Sequence, residues 1–206
     1  MLPGKTVERL SKYRRFLQDM EQKGLENIFS HEIGSNLQLT PVQVRRDIML
    51  IGYTGSQRKG YVITDLICKI DEVLNPKSKY NAAIFGIGNL GKAITSYFNH
   101  RGHNISIVAA FDCDQQKTGR VISGVWCYDL NYIKEIIKEQ KITLAILTLP
   151  YEHAQEITDR LVQAGIKGIL NFTSSALKVP EHVYIESYDM ITSLEKLAYY
   201  VKKTNN

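Results

Sequence analysis

The sequence predicts an α/β protein in which a small helical part precedes a doubly wound parallel sheet. Two observations support this fold class. From residue 82 onward, apolar runs typical of buried strands alternate with amphipathic helical patterns, and the first run ends in a G-x-G-x-x-G motif. Before residue 75, helical periodicity dominates. We therefore expect two domains of different architecture.

The composition is that of an ordinary globular protein. Of the 206 residues, 44% are hydrophobic and 23% are charged, enough for two small domains to bury a core each. No run approaches the roughly 20 apolar residues of a membrane span, and residues 1–20 lack a signal-peptide core, so we expect a soluble, cytoplasmic protein with no membrane partner. The net charge of +5 favours a polyanionic partner, although many basic proteins bind none.

Helix-start signals organise the N-terminal part. Residues 6–23 carry apolar side chains at three- and four-residue steps and predict an amphipathic helix. A short second helix should begin at Ser30, a candidate N-cap. A third should begin after Thr40, with Pro41 at the first helical position and Gln43 at the capping-box position.

Two short helices joined by a tight turn predict a helix-turn-helix at about residues 14–52, with Arg45 and Arg46 near the start of its second helix. Glycines on both sides of Arg58-Lys59, followed by β-forming residues, predict a hairpin wing at about 53–63. A solvated basic face is the alternative. Cap, turn and wing together favour a DNA-binding domain.

A connecting helix over residues 65–74 should end this domain. Asn75-Pro76 then forms the clearest boundary, because proline and the polar residues after it cannot extend the helix. The N-terminal domain would span residues 1–77 and hold 12 Lys and Arg against 9 Asp and Glu, most of the positive excess. The second domain would span residues 78–188.

The G-x-G-x-x-G motif marks a candidate dinucleotide site. Gly86 would allow the tight turn after the strand, Gly88 would let the backbone approach a pyrophosphate, and Gly91 would let the next helix pack closely. The phosphates would lie at the N-terminus of the helix that starts near Asn89. Glycines also occur in ordinary strand-to-helix turns, so the motif alone does not distinguish a dinucleotide site from such a turn.

Strands and helices alternate after the motif, as a doubly wound sheet requires. The predicted strands are 82–86, 105–111, 125–128, 144–149 and 168–172, and the predicted helices are 89–99, 130–139 and 153–163. Ligands of such sheets bind at the carboxyl ends of the strands. The candidate cofactor-binding residues at those ends are Gly86, Ile87, Gly88, Asn89, Leu90, Gly91, Asp112, Thr148, Pro150 and Asn171.

Asp112 is the most informative residue after the glycines. An acid at the end of the second strand can accept hydrogen bonds from both hydroxyls of an adenine ribose, and its charge would repel a 2′-phosphate. The site should therefore favour NAD(H) over NADP(H). The alternative is that Asp112 only caps a turn.

Other reactive residues give weaker signals. Tyr199-x-x-x-Lys203 matches the pair of short-chain dehydrogenases but lies on a terminal helix, and His153 has no partner acid at a fixed spacing. The three scattered cysteines have no histidine at metal-ligand spacing, so we expect free, buried thiols. We expect neither a catalytic residue nor a metal site.

Six motifs match one family in order and spacing. They are Arg9-Leu-x-x-Tyr13-x-Arg15, Val44-Arg-Arg-Asp47, Gly86-Ile-Gly-Asn-Leu-Gly91, Ala110-Phe-Asp112-x-Asp114, Ala145-Ile-Leu-Thr-Leu-Pro150 and Gly165-Ile-Lys-Gly-Ile-Leu-Asn-Phe172. In these motifs the chain resembles the Rex family of redox-sensing bacterial repressors. The resemblance covers nearly the full length.

The resemblance implies a winged-helix domain, a Rossmann-type domain and a C-terminal helix, residues 189–206, that is exchanged between the subunits of a homodimer. It implies that Tyr97 approaches the nicotinamide of NAD(H), and that Arg15 pairs with Asp189 between domains. The implied DNA contacts lie on the third helix and on the wing. They are Gln43, Arg45, Arg46, Arg58 and Lys59.

The implied function is a repressor, not an enzyme, that binds a palindromic operator in double-stranded DNA and is released by NADH. Some residues depart from the family pattern: Met49 and Leu50 replace a hydroxyl pair, Arg58 replaces a wing glycine, and Met190 replaces an aromatic residue. An NAD-dependent oxidoreductase or a CoA-binding ligase domain is the alternative, since both use a similar sheet and glycine loop.

Overall fold

The computed structural model describes residues 2–74, 79–99 and 104–204. The chain divides into two compact units, Met1–Ser78 and Lys79–Asn206, and each has its own apolar core. The boundary predicted at Asn75-Pro76 lies outside the described residues.

Unit 1 consists of four helices and a two-stranded ribbon. Its elements are α1 (Gly4–Gln22), β1 (Asn27–Ile28), α2 (Ser30–Leu37), α3 (Pro41–Leu50), β2 (Tyr61–Val62) and α4 (Ile63–Leu74). The apolar faces of the helices meet in one core, whose buried members include Leu10, Tyr13, Leu17, Ile33, Ile48 and Leu66. This order of helices and ribbon is the predicted winged helix-turn-helix.

The two predicted helix starts in unit 1 have different outcomes. Thr40 caps α3 as expected, because its Oγ1 accepts a hydrogen bond from the backbone N–H of Gln43 at 3.2 Å. The prediction that Ser30 caps α2 is wrong. The backbone N–H of Phe29 donates to the Glu32 carboxylate at 2.7 Å, and Ser30 is already helical. The Ser30 hydroxyl is therefore available for a contact elsewhere.

The wing is smaller than the sequence predicts. Ser56 and Gly60 form an antiparallel bridge around a basic turn. The strand that follows, β2, pairs with β1, where Tyr61 lies opposite Ile28. α4 begins at residue 63, inside the predicted wing, so the chain turns from ribbon to helix without a linker.

Unit 2 is a seven-stranded sheet with apolar clusters on both faces. Its elements are β3 (Tyr80–Phe85), α5 (Asn89–Asn99), β4 (Ile105–Asp112), β5 (Arg120–Ile122), β6 (Val125–Asp129), α6 (Ile133–Glu139), β7 (Ile142–Leu147), α7 (Ala154–Gln163), β8 (Gly168–Asn171), β9 (Tyr184–Ser187) and α8 (Met190–Thr204). Short 3₁₀ turns, Leu130–Tyr132 and Tyr151–His153, precede α6 and α7.

The strand order is β5-β6-β4-β3-β7-β8-β9, and all neighbouring strands are parallel except β5 and β6. The chain first fills one side of β3 with β4 and β6, and then crosses to the other side with β7. This reversal opens a crevice at the carboxyl ends of β3 and β7, which is where ligands of such sheets bind. The predicted doubly wound sheet is confirmed.

Two strands of the sheet, β5 and β9, were not predicted from the sequence, and β7 ends earlier than predicted. β5 is antiparallel to β6, and the two residues between them, Ser123 and Gly124, both have positive φ. That conformation defines a tight two-residue hairpin turn, for which the sequence gives a signal only two residues long. β9 adds a parallel edge strand. β7 ends at Leu147 and not at the predicted residue 149, so Thr148 belongs to the ligand-side loop.

The C-terminal helix α8 has little to pack against in a single chain. Seven of its apolar and aromatic side chains are exposed. They are Met190, Ile191, Leu194, Leu197, Tyr199, Tyr200 and Val201. Asp189 caps the helix, since its carboxylate accepts hydrogen bonds from the backbone N–H groups of Ile191 and Thr192 at 2.9 and 3.1 Å. An apolar helix surface of this kind suits a second protein surface.

The cysteines are free, but the expectation that they are buried is wrong for Cys68 and Cys113, which are exposed; Cys127 alone of the three is buried. Among the residues described, no group of His, Cys, Asp or Glu side chains is arranged to hold a metal ion. No helix in the described ranges is both long and apolar enough to cross a membrane.

Candidate functional site

The glycine loop connects β3 to α5 at the carboxyl end of the sheet. Gly86 has a φ of +91°, and a Cβ there would lie 2.8 Å from the carbonyl oxygen of Thr148. A Cβ on Gly91 would collide with the carbonyl oxygen of Gly86. Both positions therefore require glycine for packing. Gly88 does not, because a Cβ there meets nothing within 4 Å and its φ is ordinary.

Thr148 fastens this loop to the neighbouring strand. Its hydroxyl donates a hydrogen bond to the carbonyl oxygen of Gly86 at 2.6 Å, and its backbone N–H donates to Phe85 at 2.9 Å. The predicted cofactor contact Thr148 is thus first a brace for the glycine turn. These two hydrogen bonds fix the backbone of the loop just before α5 begins.

Asp112 lies at the end of β4 and is 7% exposed. Its Oδ2 accepts hydrogen bonds from the backbone N–H of Ile87 and from Lys117 Nζ, both at 3.0 Å, and its Oδ1 accepts from the N–H of Asp114 at 2.9 Å. Burial alone would raise the pKa of Asp112, but these hydrogen bonds outweigh it and lower the pKa below its ordinary value. The carboxylate is therefore charged at neutral pH.

A cavity of about 650 Å³ opens between the glycine loop and α7. Of the residues predicted from the sequence, Gly86, Gly88, Asp112, Thr148 and Pro150 line it. The volume is typical of a small-molecule or cofactor site. The carboxyl ends of β3, β4 and β7 thus converge on one cavity, as the crevice rule requires.

Other residues that line the cavity were missed by the sequence analysis. They are Phe111, Cys113, Asp114, Lys117, Leu130, Glu156, Ile157 and Arg160, and His153, considered only as a catalytic group, joins them. Positions 156, 157 and 160 share one face of α7, and His153 lies just before the helix in register with them. The helical period could therefore have identified these residues once the helix was known to cover the site. Arg160 also donates a hydrogen bond to the carbonyl oxygen of Leu130 at 2.5 Å.

The remaining predicted cofactor residues do not line this cavity. Ile87 is fully buried, Tyr97 is half exposed beside Phe98, and Asn89, Leu90 and Gly91 form the start of α5. Asn171 is also fully buried and orders its own loop. Its amide donates to the carbonyl oxygen of Ser175 at 2.9 Å, and its Oδ1 accepts from the Thr173 backbone and hydroxyl at 2.9 and 2.6 Å. Contacts of these residues with a cofactor stay predictions.

Unit 1 presents a basic and apolar face on α3. Val42, Arg45, Arg46, Met49 and Leu50 line one groove, at positions that share a helix face, and Met49 and Leu50 are 67% and 51% exposed. Arg45 donates a hydrogen bond to the Ser30 hydroxyl at 3.0 Å, which ties the side chain to α2. Arg58 and Lys59 are exposed at the turn of the wing. Of the predicted DNA contacts, Arg45 and Arg46 thus lie on this face and Arg58 and Lys59 lie on the wing, and their contact with DNA stays a prediction.

A buried ion pair holds α3 against α1. Asp47 is 2% exposed and accepts two hydrogen bonds from the Arg9 guanidinium, at 2.6 and 2.7 Å, and one from the Tyr13 hydroxyl at 2.8 Å. Burial would raise the pKa of Asp47, but the hydrogen bonds from Arg9 and Tyr13 lower it below its ordinary value. This contact sets the orientation of the helix that carries the candidate DNA contacts.

Arg15 lies exposed on α1, and Asp189 caps α8. The described contacts place each within its own unit, so their pairing stays a prediction.

Two protein-family models match the chain. The model described as a CoA binding domain matches residues 77–175, and the model described as a putative DNA-binding protein N-terminus matches residues 1–48. The two matches therefore fall on the sheet and on the first helices of unit 1.

Curated relatives match over nearly the whole chain. The redox-sensing transcriptional repressor Rex of Lactobacillus acidophilus is 37% identical over 200 residues, which cover 97% of this chain and 95% of the relative. The protein of the same name from Anoxybacillus flavithermus is 39% identical over 205 residues, covering 100% and 96%.

Solved structures agree with these relatives. The crystal structure of RSP in complex with β-NAD⁺ and operator DNA has a TM-score of 0.93 at 31% identity, covering 100% of this chain and 94% of RSP. RSP in complex with β-NADH has a TM-score of 0.87 at 30% identity, covering 100% and 96%. RSP is described as a Rex-family repressor.

Proposed function

Because the chain belongs to the Rex family of redox-sensing transcriptional repressors, we propose that it binds promoter DNA as a dimer and is released when NADH occupies the sheet domain. One observation carries the proposal: a single chain joins a basic winged helix to a glycine-loop cavity and matches, over its full length, a repressor solved with NAD⁺ and operator DNA. Such a repressor acts where the promoter DNA lies, in the cytoplasm.

The cofactor would lie across the glycine loop. The pyrophosphate would approach Gly88 and the first N–H groups of α5, and the adenine ribose would reach Asp112. NADH lacks the positive charge of the oxidised nicotinamide, so an apolar environment near Tyr97 would favour NADH over NAD⁺. Occupancy would shift the dimer to a form whose winged helices no longer match two half-sites.

The test is a mobility-shift assay on a palindromic promoter site. We expect saturating NADH to weaken DNA binding by at least about tenfold, since a ligand shifts a two-state equilibrium by its differential affinity for the two forms. NAD⁺ at the same concentration is the control and should leave the complex in place. Equal effects of NADH and NAD⁺ would exclude the sensor function.

The DNA contacts would come from α3 and the wing. Arg45 and Arg46, in the middle of α3, would meet base edges and phosphates. The exposed Met49 and Leu50 suit apolar contact with thymine methyl groups. Arg58 and Lys59 would contact phosphates as point charges.

The wing can be tested by the salt dependence of DNA binding. Each phosphate contact contributes about 0.9 to the slope of log K against log salt, so the double variant Arg58→Ala, Lys59→Ala should lower that slope by about 2. The matched control is Lys69→Ala, which removes an exposed charge from α4 in the same unit. A slope that is unchanged in the wing variant would remove the wing from the DNA interface.

The homodimer would form through α8. Its exposed apolar side chains provide the surface, and Asp189 provides a preformed helix start. The area left uncovered is of the kind that marks a protein interface. Arg15 and Asp189 would then pair between domains when the DNA-binding form is assembled.

We propose no enzymatic activity. Two observations nevertheless favour testing the alternative: a CoA-binding family model matches the sheet, and His153 and Glu156 line the cavity as a candidate acid and base. The protein should be titrated with NADH, NAD⁺, NADPH and CoA, and turnover should be assayed. Tight CoA binding or turnover of a CoA or nicotinamide substrate would favour the enzyme.

A further inference from the structure

Lys117 lies in the cavity beside the acid that is expected to bind the adenine ribose. Its Nζ is 3.0 Å from Asp112 Oδ2 and 3.6 Å from Asp114 Oδ2, and its side chain is 31% exposed. From the sequence, Asp112 is expected to act as a single negative charge at the ribose. The structure surrounds it with a cation and two backbone N–H donors.

The hydrogen bonds on Asp112 leave it little capacity for a ribose. A carboxylate offers about four acceptor positions. Three are occupied, by the N–H groups of Ile87 and Asp114 and by Lys117. A ribose with two hydroxyls therefore finds one vacant acceptor position unless Lys117 moves. The two backbone donors cannot move without disturbing the glycine loop and the turn after β4.

The charge next to the ribose is also different from that of a lone acid. Lys117 lies 3.0 Å from Asp112 and 3.6 Å from Asp114, so it offsets one of these two negative charges and reduces the repulsion of a 2′-phosphate without removing it. The ammonium group carries three donors and no acceptor, which suits a phosphate at least as well as a hydroxyl. The Lys117 side chain is partly exposed, which lets its ammonium group move between Asp112 and a ligand.

We propose that Lys117 determines nucleotide specificity: it offsets the charge of Asp112 at the ribose 2′ position and thereby narrows the preference for NADH over NADPH. The inference rests on the proposed dinucleotide function of the same cavity. It corrects the simple expectation that Asp112 alone excludes NADP(H), because the acid acts as one half of an ion pair.

The experiment compares dissociation constants for NADH and NADPH in the full-length protein, measured by fluorescence of the reduced nicotinamide. In Lys117→Met, NADPH affinity should fall about tenfold relative to NADH affinity, because Asp112 then repels the 2′-phosphate without compensation. Lys117→Arg keeps the charge and should keep the wild-type ratio. Lys138→Met removes an exposed charge on α6 that does not line the cavity and is the matched control.

The adenosine half can be tested separately. Adenosine 2′,5′-bisphosphate and adenosine 5′-monophosphate should be competed against NADH, and Lys117→Met should weaken only the bisphosphate strongly. Asp112→Asn should change the ratio in the opposite direction and favour NADPH. Thermal unfolding of each variant checks the fold.

The possible outcomes distinguish a failure of the role proposed for Lys117 from a failure of nucleotide binding in this cavity. If the wild type binds NADH but Lys117→Met leaves the NADH to NADPH ratio within twofold of the wild type, Lys117 is only a scaffold residue and the inference is overturned. If the wild type binds neither nucleotide, the proposed function fails first, and the inference fails with it.

Discussion

A Gly88→Ala variant should fold as stably as the wild type and lose NADH affinity by about 100-fold, which corresponds to about 2.7 kcal/mol. The fold does not require glycine at this position, because an added Cβ meets nothing within 4 Å. The pyrophosphate does require it, since the backbone of the loop must approach the phosphates closely. NADH titration and thermal unfolding on the same preparation measure both parts.

Neighbouring glycines supply the contrast. Gly91→Ala places a Cβ against the carbonyl oxygen of Gly86, so this variant should be destabilised even without a cofactor. In the mobility-shift assay, Gly88→Ala should still bind operator DNA but should resist release by NADH. If Gly88→Ala bound NADH as tightly as the wild type, the pyrophosphate would not lie on this loop.

An Asp47→Ala variant should lose about 3–5 kcal/mol of the free energy of unfolding of unit 1 and, with it, DNA binding. The substitution leaves the Arg9 guanidinium, 16% exposed, without its carboxylate, and also removes the partner of the Tyr13 hydroxyl. NADH binding should persist, because the sheet has a core of its own. Operator binding and NADH fluorescence, measured together, distinguish this result from general misfolding.

The pH dependence of unit 1 gives a second measure of the same contact. The pKa of Asp47 is lower in the folded state than in the unfolded chain, so its contribution is present above about pH 4 and is lost as the pH falls through the lowered pKa. Asp47→Asn should abolish this loss of stability at acid pH. Tyr13→Phe should cost about 1 kcal/mol and should reduce the acid loss only in part, because Arg9 still holds the Asp47 carboxylate. If the free energy of unfolding of Asp47→Asn fell at acid pH as it does in the wild type, other carboxylates would be the cause of the fall.

Local signals predicted much of the fold. The spacing of the glycines fixes a backbone turn, and the Thr40-Pro41 start of α3 is read from cap chemistry within a few residues. Cap chemistry gave a wrong prediction at α2, where two side chains could cap the helix. The Glu32 carboxylate, and not the Ser30 hydroxyl, accepts the hydrogen bond from the backbone N–H at the start of the helix. The hairpin at Ser123 and Gly124 also went unread, because its signal is two residues long.

The sequence by itself determined the order of the elements apart from β5 and β9, together with the glycine turn, the basic α3 and the acid after β4, because each depends on residues close together along the chain. Only the tertiary structure decided that α7 covers the cavity with His153, Glu156 and Arg160. It also decided that Asp47 is buried against α1 and that Lys117 pairs with Asp112 and Asp114. Such contacts depend on which strand ends and helix faces meet in space, and electrostatic interactions follow that distance and burial, which spacing along the chain does not specify.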